Sequence, residues 1–466
     1  MSFSKRFMAF VRRPEGFFLT ATIVFGGIFL LLFPPLQTPD EASHFMRAYQ
    51  VSQFELAPMA HGGLIGGELP KSLSATIKLL DTNPSLRFHP ETKYDLHRTA
   101  AALHIPLDKN DRTFTSGVTS YSPVGYIPQA IGIFIGTLFN LPPVVLMYIA
   151  RVMSLVTWAF LIFMSIKLVP YKKWAFVGFG LLPMFIAQAV SPGIDAISIG
   201  LGVLFLASVL HLREKPTIRL KWWLVLLLMA CLIALTKQTT ILILGFVFLL
   251  KSSQFEALSW KGVAKKLLII ILPVFIFIGW TLITSHLNLA GTTQIEGQNS
   301  SGQVSNIVHN PLRFPQVLFN TFFTTWGDSV DQSFIGDFGW ADTPLAGGLV
   351  NLGYIFIALL LFANYDTVRT KLTRVNKWLI ILLVAAYVLG TCAALYVFYS
   401  PVNFNIVYGL QGRYFLLALF MLIPIFATSQ LKLSKTKYTR LVQIGASLLL
   451  LASALTIYLR YYITLF

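Results

Sequence analysis

The sequence predicts an all-α integral membrane protein, a single polytopic bundle of about eleven spanning helices with a long loop after the first. Three observations carry this. The 466 residues are 55% hydrophobic and only 12% charged, with mean hydropathy +0.69. Soluble domains carry about 25% charged residues, so lipid must solvate most of this chain. The apolar residues fall into stretches long enough to cross a hydrocarbon core of about 30 Å. Finally, the Lys and Arg residues collect in alternate connections, as the positive-inside rule requires.

Apolar stretches lie near 17–33, 142–166, 174–190, 195–212, 222–236, 238–250, 267–286, 346–364, 378–399, 413–429 and 441–463. The first has basic flanks but no small-residue cleavage site after it, so it reads as a retained span. A twelfth stretch, Val124 to Phe139, follows Pro123 and is interrupted by Pro128. If it is a re-entrant or interfacial helix, 23 of the 36 basic residues and four of the 19 acids fall on the inner side. Counting it as a span would invert most of that asymmetry. The expected topology is therefore eleven spans in the cytoplasmic membrane, N-terminus inside. The net charge of +17 then belongs to short loops facing an anionic leaflet and calls for no nucleic-acid partner. Cys231 and Cys392 lie in apolar runs and read as small hydrophobes rather than a disulfide or metal framework.

Two connections stand out by length. The first outer loop, residues 34–141, is rich in Pro, Gly and His and is expected to hold juxtamembrane helices. The second, residues 287–345, holds Asp328, Asp331, Asp337 and Asp342. Its tract Gln294 to Ser305 reads as mobile, and Trp340 to Pro344 as ordered. Long loops among short ones tend to be functional or disordered.

Directly after the first span comes Thr38-Pro39-Asp40-Glu41-Ala-Ser-His44-Phe-Met-Arg47. Thr38 suits an N-cap, Pro39 a first helical turn, and Thr38-x-x-Glu41 a capping box. Glu41 can therefore be explained by helix capping alone. Asp40 cannot, and a carboxylate at a bundle mouth is costly to keep near lipid. His44 and Arg47 share the helical face of the acidic pair. Tyr121-Ser-Pro123-Val-Gly-Tyr126 opens the proline-punctuated hairpin, where an aromatic-belt role competes with function. Arg151 lies inside the next span and needs an acidic or phosphate partner. Asp195 sits at a helix start, where capping is the plain alternative. Lys237 and Arg413, the latter in Gln411-Gly-Arg413-Tyr414-Phe415, are isolated cations that the topology does not explain. Snorkelling competes with phosphate binding for both.

A carboxylate and a phosphate-binding cation at one outer lipid boundary suit an enzyme with a lipid-phosphate donor. The carboxylate would deprotonate an acceptor hydroxyl, and the cation would stabilise the departing phosphate. The Pro39-Asp40-Glu41 motif, the long first loop and the Arg-bearing next span resemble the GT-C superfamily of membrane glycosyltransferases. More closely, Pro39-Asp40-Glu41-x-x-His44-Phe-x-Arg47, Tyr121-Ser-Pro123, Leu182-Pro-Met184 with Asp195, and Gln411-Gly-Arg413-Tyr414-Phe415 resemble a bacterial multi-span family labelled only as a domain of unknown function.

The resemblance implies a GT-C-like bundle and a sugar donor on polyprenyl phosphate, the undecaprenyl carrier of bacterial envelopes, with Asp40 as base and inversion at the anomeric carbon. Catalytic roles would fall to Asp40 and Glu41. Donor binding would fall to His44, Arg47, Tyr121, Arg151, Asp195, Lys237, Gln411, Arg413 and Tyr414. No Asp-x-Asp pair accompanies Asp40, so neither a metal nor another cofactor is expected. The chain ends just past the last span without a large soluble domain, which points to an envelope glycan or lipid-linked acceptor rather than a peptide. A partner synthase would make the donor. The competing readings are a transporter or flippase for a lipid-linked saccharide, and an assembly subunit in which Asp40 is dispensable.

Overall fold

A computed structural model describes the chain except residues 1–2, 62–63, 82–85, 117–120, 257–258, 289–294, 366–371, 429–430 and 465–466. It is a largely helical membrane protein. Six helices are long and apolar enough to cross a bilayer: Pro14–Leu32, Pro143–Leu168, Asp195–Arg213, Ser259–Asn288, Arg374–Phe398 and Lys435–Tyr462. The other five expected spans are shorter or broken.

The breaks follow proline. The stretch 174–190 is two short helices, Lys173–Gly180 and Pro183–Ala189, because Pro183 lacks an N–H and displaces the preceding residue from helical geometry. Every residue of both pieces except Lys173 is buried. Non-helical backbone at membrane depth is tolerated when protein rather than lipid surrounds it. The stretch 413–429 is likewise a 3₁₀ turn, Gly412–Phe415, a helix, Leu416–Leu422, and a second 3₁₀ turn after Pro424. Leu220–Ala234 and Gly347–Phe362 are regular but short helices. Gln238–Leu249 is wound as a 3₁₀ helix, whose rise of about 2.0 Å per residue lets twelve residues reach about 24 Å.

The hairpin segment is a 3₁₀ turn, Pro123–Tyr126, followed by the helix Ile127–Leu138. The twelve α-helical residues rise about 18 Å and the 3₁₀ turn adds about 8 Å, a reach comparable to that of Gln238–Leu249, so the distinction from a span rests on the charge asymmetry and not on length. Asn140, at positive φ, turns the chain back so that this helix packs along Pro143–Leu168. Its outward face exposes Ile131, Phe134, Ile135 and Leu138.

The first loop also contains what an all-α expectation omits, a small antiparallel sheet in the order β1 (Met59–His61), β2 (Leu64–Pro70), β3 (Arg112–Ser116). Gly66 pairs with Ser116 and Pro70 with Arg112. Helix Glu41–Ser52 packs against this sheet and the hairpin, burying Phe45, Met46, Ala48 and Tyr49 in a core separate from that of the bundle.

In the second long loop the order exceeds expectation. Residues 289–294 lie outside the described set, but helix Ser300–His309 occupies much of the tract read as mobile. Its N-cap Asn299 accepts from Gly302 N–H at 3.1 Å. Helices Arg313–Phe323 and Thr325–Ile335 lead to a two-stranded hairpin, β4 (Asp337–Phe338) and β5 (Thr343–Pro344). That hairpin is anchored from three sides, since Trp340 Nε1 donates to Leu36 O at 3.1 Å and Asp342 pairs with Arg460 at 3.0 Å and with Phe88 N–H at 3.0 Å.

Candidate functional site

The site lies at the end of the bundle from which both long loops emerge. The first span stops at Phe33 because Pro34 and Pro35 follow. The next helix begins at Glu41, but not through the expected capping box. Its N-cap is Asp40, in the left-handed region at φ 57° and ψ 19°, and the Asp40 side chain makes no cap bond. Thr38 does not cap the helix either. Its hydroxyl instead donates to Glu41 Oε2 at 3.0 Å.

Glu41 proves structural in its contacts. It is fully buried, pairs with Arg151 at 2.5 and 2.7 Å, and accepts from Leu36 N–H at 2.9 Å. Arg151 spends its remaining donors on Phe33 O at 2.8 Å and Pro34 O at 2.9 Å. Arg151 thus has the acidic partner that its position demanded, which leaves neither residue free for donor or base chemistry. Arg47 is corrected similarly. It is fully buried and donates to Tyr121 O, Gln50 Oε1, Glu55 O and Leu56 O, bracing the first loop from inside.

The other expected residues do converge. Asp40 is exposed and makes no side-chain hydrogen bond among the described residues. A left-handed Asp costs of order 1–2 kcal/mol, and that conformation turns its carboxylate away from the helix it would otherwise cap. His44 Nδ1 lies 2.7 Å from the Tyr126 hydroxyl, and its ring stacks on Tyr121 at 6.3 Å and 17°. Burial lowers the His44 pKa below its ordinary value, with Arg413 and Lys237 acting the same way against Asp40 and Asp195. The imidazole is therefore neutral near pH 7. Gln129 holds the turn before Asp195 by donating to Pro192 O at 3.2 Å.

Asp195 does not cap its helix; it pairs with Lys237 at 2.7 Å. Lys237 is therefore not isolated. Its ammonium also lies 4.6 Å above the Tyr414 ring, and Tyr387 fixes that segment by donating to Tyr414 O at 2.8 Å. Arg413 is different. It is 9% exposed, has no carboxylate within ion-pair distance among the described residues, and meets the Tyr414 hydroxyl at 3.5 Å and the Tyr414 ring at 5.3 Å. Its Nε is buried without a partner. Asp40 and Asp195 are near enough for their charges to act on it.

Backbone packing sets the position of Arg413. Gly412 N–H donates to Ser333 Oγ at 2.7 Å, and a Cβ on Gly412 would stand 2.2 Å from Val330 O. Only glycine permits that approach. Arg413 and Gln411 open onto a narrow recess lined also by Thr38, Pro39, Gln188 and Asp337, with Phe33, Met184 and Phe338 as apolar walls. A second groove runs from Tyr121, Ser122 and Thr236 onto Phe277, Trp280 and Thr284 of helix Ser259–Asn288, most of which faces away from the protein.

Sequence reasoning missed Tyr126, Gln188 and Asp337. Asp337 was one of four loop aspartates. What could have distinguished it is the following Phe-Gly-Trp, because Gly339 at φ 62° makes the tight turn that fixes the hairpin. No group of three or more His, Cys, Asp or Glu residues is placed to share a metal ion among the described residues.

No curated protein and no solved structure matches this chain. A family model described as a predicted membrane protein, DUF2142, matches residues 23–459, and the chain belongs to that family.

Proposed function

We propose that the protein is a membrane glycosyltransferase that moves a sugar from a polyprenyl-phosphate donor, such as the undecaprenyl carrier, to an envelope glycan or lipid-linked acceptor. In this reading it crosses the cytoplasmic membrane eleven times, with the N-terminus inside and the site on the outer face. The observation that carries the reading is the pairing of a strained, exposed Asp40 with a buried Arg413, the first without a side-chain hydrogen bond and the second without a carboxylate at ion-pair distance among the described residues. A buried cation without an anion is expensive, and a lipid-borne phosphate would supply the missing charge. Lys237, backed by Asp195, would lend field but not a free fork.

The step balances without a cofactor. Asp40 takes the proton of an acceptor hydroxyl while the new C–O bond forms at the anomeric carbon. The bond from that carbon to the phosphate oxygen breaks, and the polyprenyl phosphate leaves with its charge held by Arg413. Glu41 and Arg151 fix the chain segment that presents Asp40. The grouping of charges at one end of the bundle, rather than at mid-depth, disfavours a transporter or flippase.

The test is sugar transfer by purified protein in nanodiscs, using a panel of short-chain polyprenyl-phosphate sugars, native against Asp40→Asn. Release of polyprenyl phosphate by the native protein alone supports the reading. Donor binding without release in either form, across several acceptors, shifts the weight to a transporter.

A further inference from the structure

We infer that the recess beside Arg413 is a subsite for the hydroxyl-bearing edge of the donor's sugar, and that Asp337 is the binding residue that accepts its hydrogen bond. The inference rests on the donor reading above and extends it to a residue and a ligand group.

Asp337 is 8% exposed and lines the recess together with Arg413, Gln411, Gln188 and Thr38. One carboxylate oxygen accepts from Thr343 N–H at 3.1 Å across the hairpin, and the other has no hydrogen bond among the described residues. That second oxygen is not sealed in the interior and can accept from a donor that enters the recess. The hairpin leaves it little freedom to find one elsewhere, because Asp342 and Trp340 pin the turn to Arg460 and Leu36. Gln188 and Gln411 add amide groups that can both donate and accept. Phe33, Met184 and Phe338 supply apolar wall. Carboxylate, amides and apolar wall around one small space form a chemistry suited to a polyhydroxylated ring edge. A phosphate would be repelled by Asp337 and belongs on the Arg413 side.

The protonation state follows from the surroundings. Burial raises the Asp337 carboxyl to about 6, the Thr343 N–H opposes the rise and Asp342 adds to it. Asp342 and Arg413 are the charged groups facing it from the hairpin and from across the recess. Above pH 6 it is a charged acceptor; as pH falls through 6 it takes a proton and its accepting strength falls. The sugar-bearing donor is a phosphodiester and does not itself titrate in this range, so an inflection near 6 in its binding would belong to the protein.

The experiment measures binding by full-length protein in nanodiscs of two probes: short-chain polyprenyl phosphate, and a panel of its hexosyl and pentosyl esters. Asp337→Asn keeps the Thr343 bond through its amide oxygen, and Gln188→Leu perturbs the recess independently. Both variants are expected to bind the sugar-free probe within twofold of native and the best sugar-bearing probe at least tenfold more weakly at pH 7.5. The native protein and Gln188→Leu should both lose affinity for the sugar-bearing probe between pH 7 and 5, and Asp337→Asn should not. If both variants bind the sugar-bearing probe as the native does, the subsite is refuted while the donor reading stands. If the native protein binds neither probe, the donor reading fails and the subsite with it.

Discussion

Glu41 sits beside Asp40 in the sequence, so a clean separation of the two matters most. The structure makes Glu41 the counter-ion of Arg151, and Glu41→Gln tests that assignment. Glutamine keeps the volume and can still accept from Leu36 N–H and the Thr38 hydroxyl. It cannot offer two acceptor oxygens to Arg151, and its NH₂ would face guanidinium N–H groups now 2.5 and 2.7 Å from carboxylate oxygens. Arg151 would retain only Phe33 O and Pro34 O. Removing one partner of a buried pair costs about 3–5 kcal/mol. Thermal unfolding in nanodiscs, followed by tryptophan fluorescence, should therefore fall by about 5 °C or more. Arg151→Gln should cost as much, and the double variant should fall short of the sum, because the second change no longer breaks an intact pair. Unchanged stability in Glu41→Gln with sugar transfer abolished would refute this reasoning and return Glu41 to the chemistry.

Three further outcomes follow from the site. Arg413→Ala should weaken binding of a polyprenyl-phosphate probe at least tenfold, whereas Asp40→Asn should bind it normally and fail in transfer; loss of binding in the Asp40 variant alone would reverse the two roles. Lys237→Met should destabilise the protein by about 2 kcal/mol, between the values for exposed and buried pairs, and adding Asp195→Leu should recover most of it; a large loss of donor binding at unchanged stability would instead make Lys237 a direct phosphate ligand. Cysteine introduced at position 115 should be labelled by an impermeant reagent from outside intact cells and one at position 370 only from inside. Outside labelling at 370 would overturn the eleven-span topology.

What was legible in the sequence divides by the distance between cause and effect along the chain. Asp40 was legible because its anomaly is local: it is an acid beside an acid, after a proline, at a span end. The His44, Tyr121, Asp195, Lys237, Arg413 and Tyr414 convergence was legible in composition, since each is polar where lipid disfavours polarity. The partners were not. Glu41 meets Arg151 110 residues away, Asp195 meets Lys237 42 residues away, and no periodicity encodes which cation pairs with which acid. That is why two cations read as phosphate ligands, Arg151 and Lys237, have carboxylate partners while Arg413 has none within ion-pair distance among the described residues. The helix breaks at Pro183 and Pro424 were written in the sequence, but hydropathy averages over them and counts apolar residues regardless of backbone shape.

The same separation explains why the site is built as it is. On the proposed reading Asp40 is a base and must remain unengaged, yet a carboxylate at a helix start is readily captured by its own backbone or by a neighbouring arginine. Placing two acids side by side resolves the conflict, because Arg151 and the Leu36 and Thr38 donors all converge on Glu41. With the helix start thus secured by Glu41, Asp40 can occupy a left-handed conformation in which no cap bond reaches it. Glu41 must therefore be satisfied for Asp40 to stay free of the helix start. A Glu41 variant that leaves Arg151 seeking an anion should therefore draw Asp40 inward, and loss of transfer in such a variant should accompany, not replace, loss of stability.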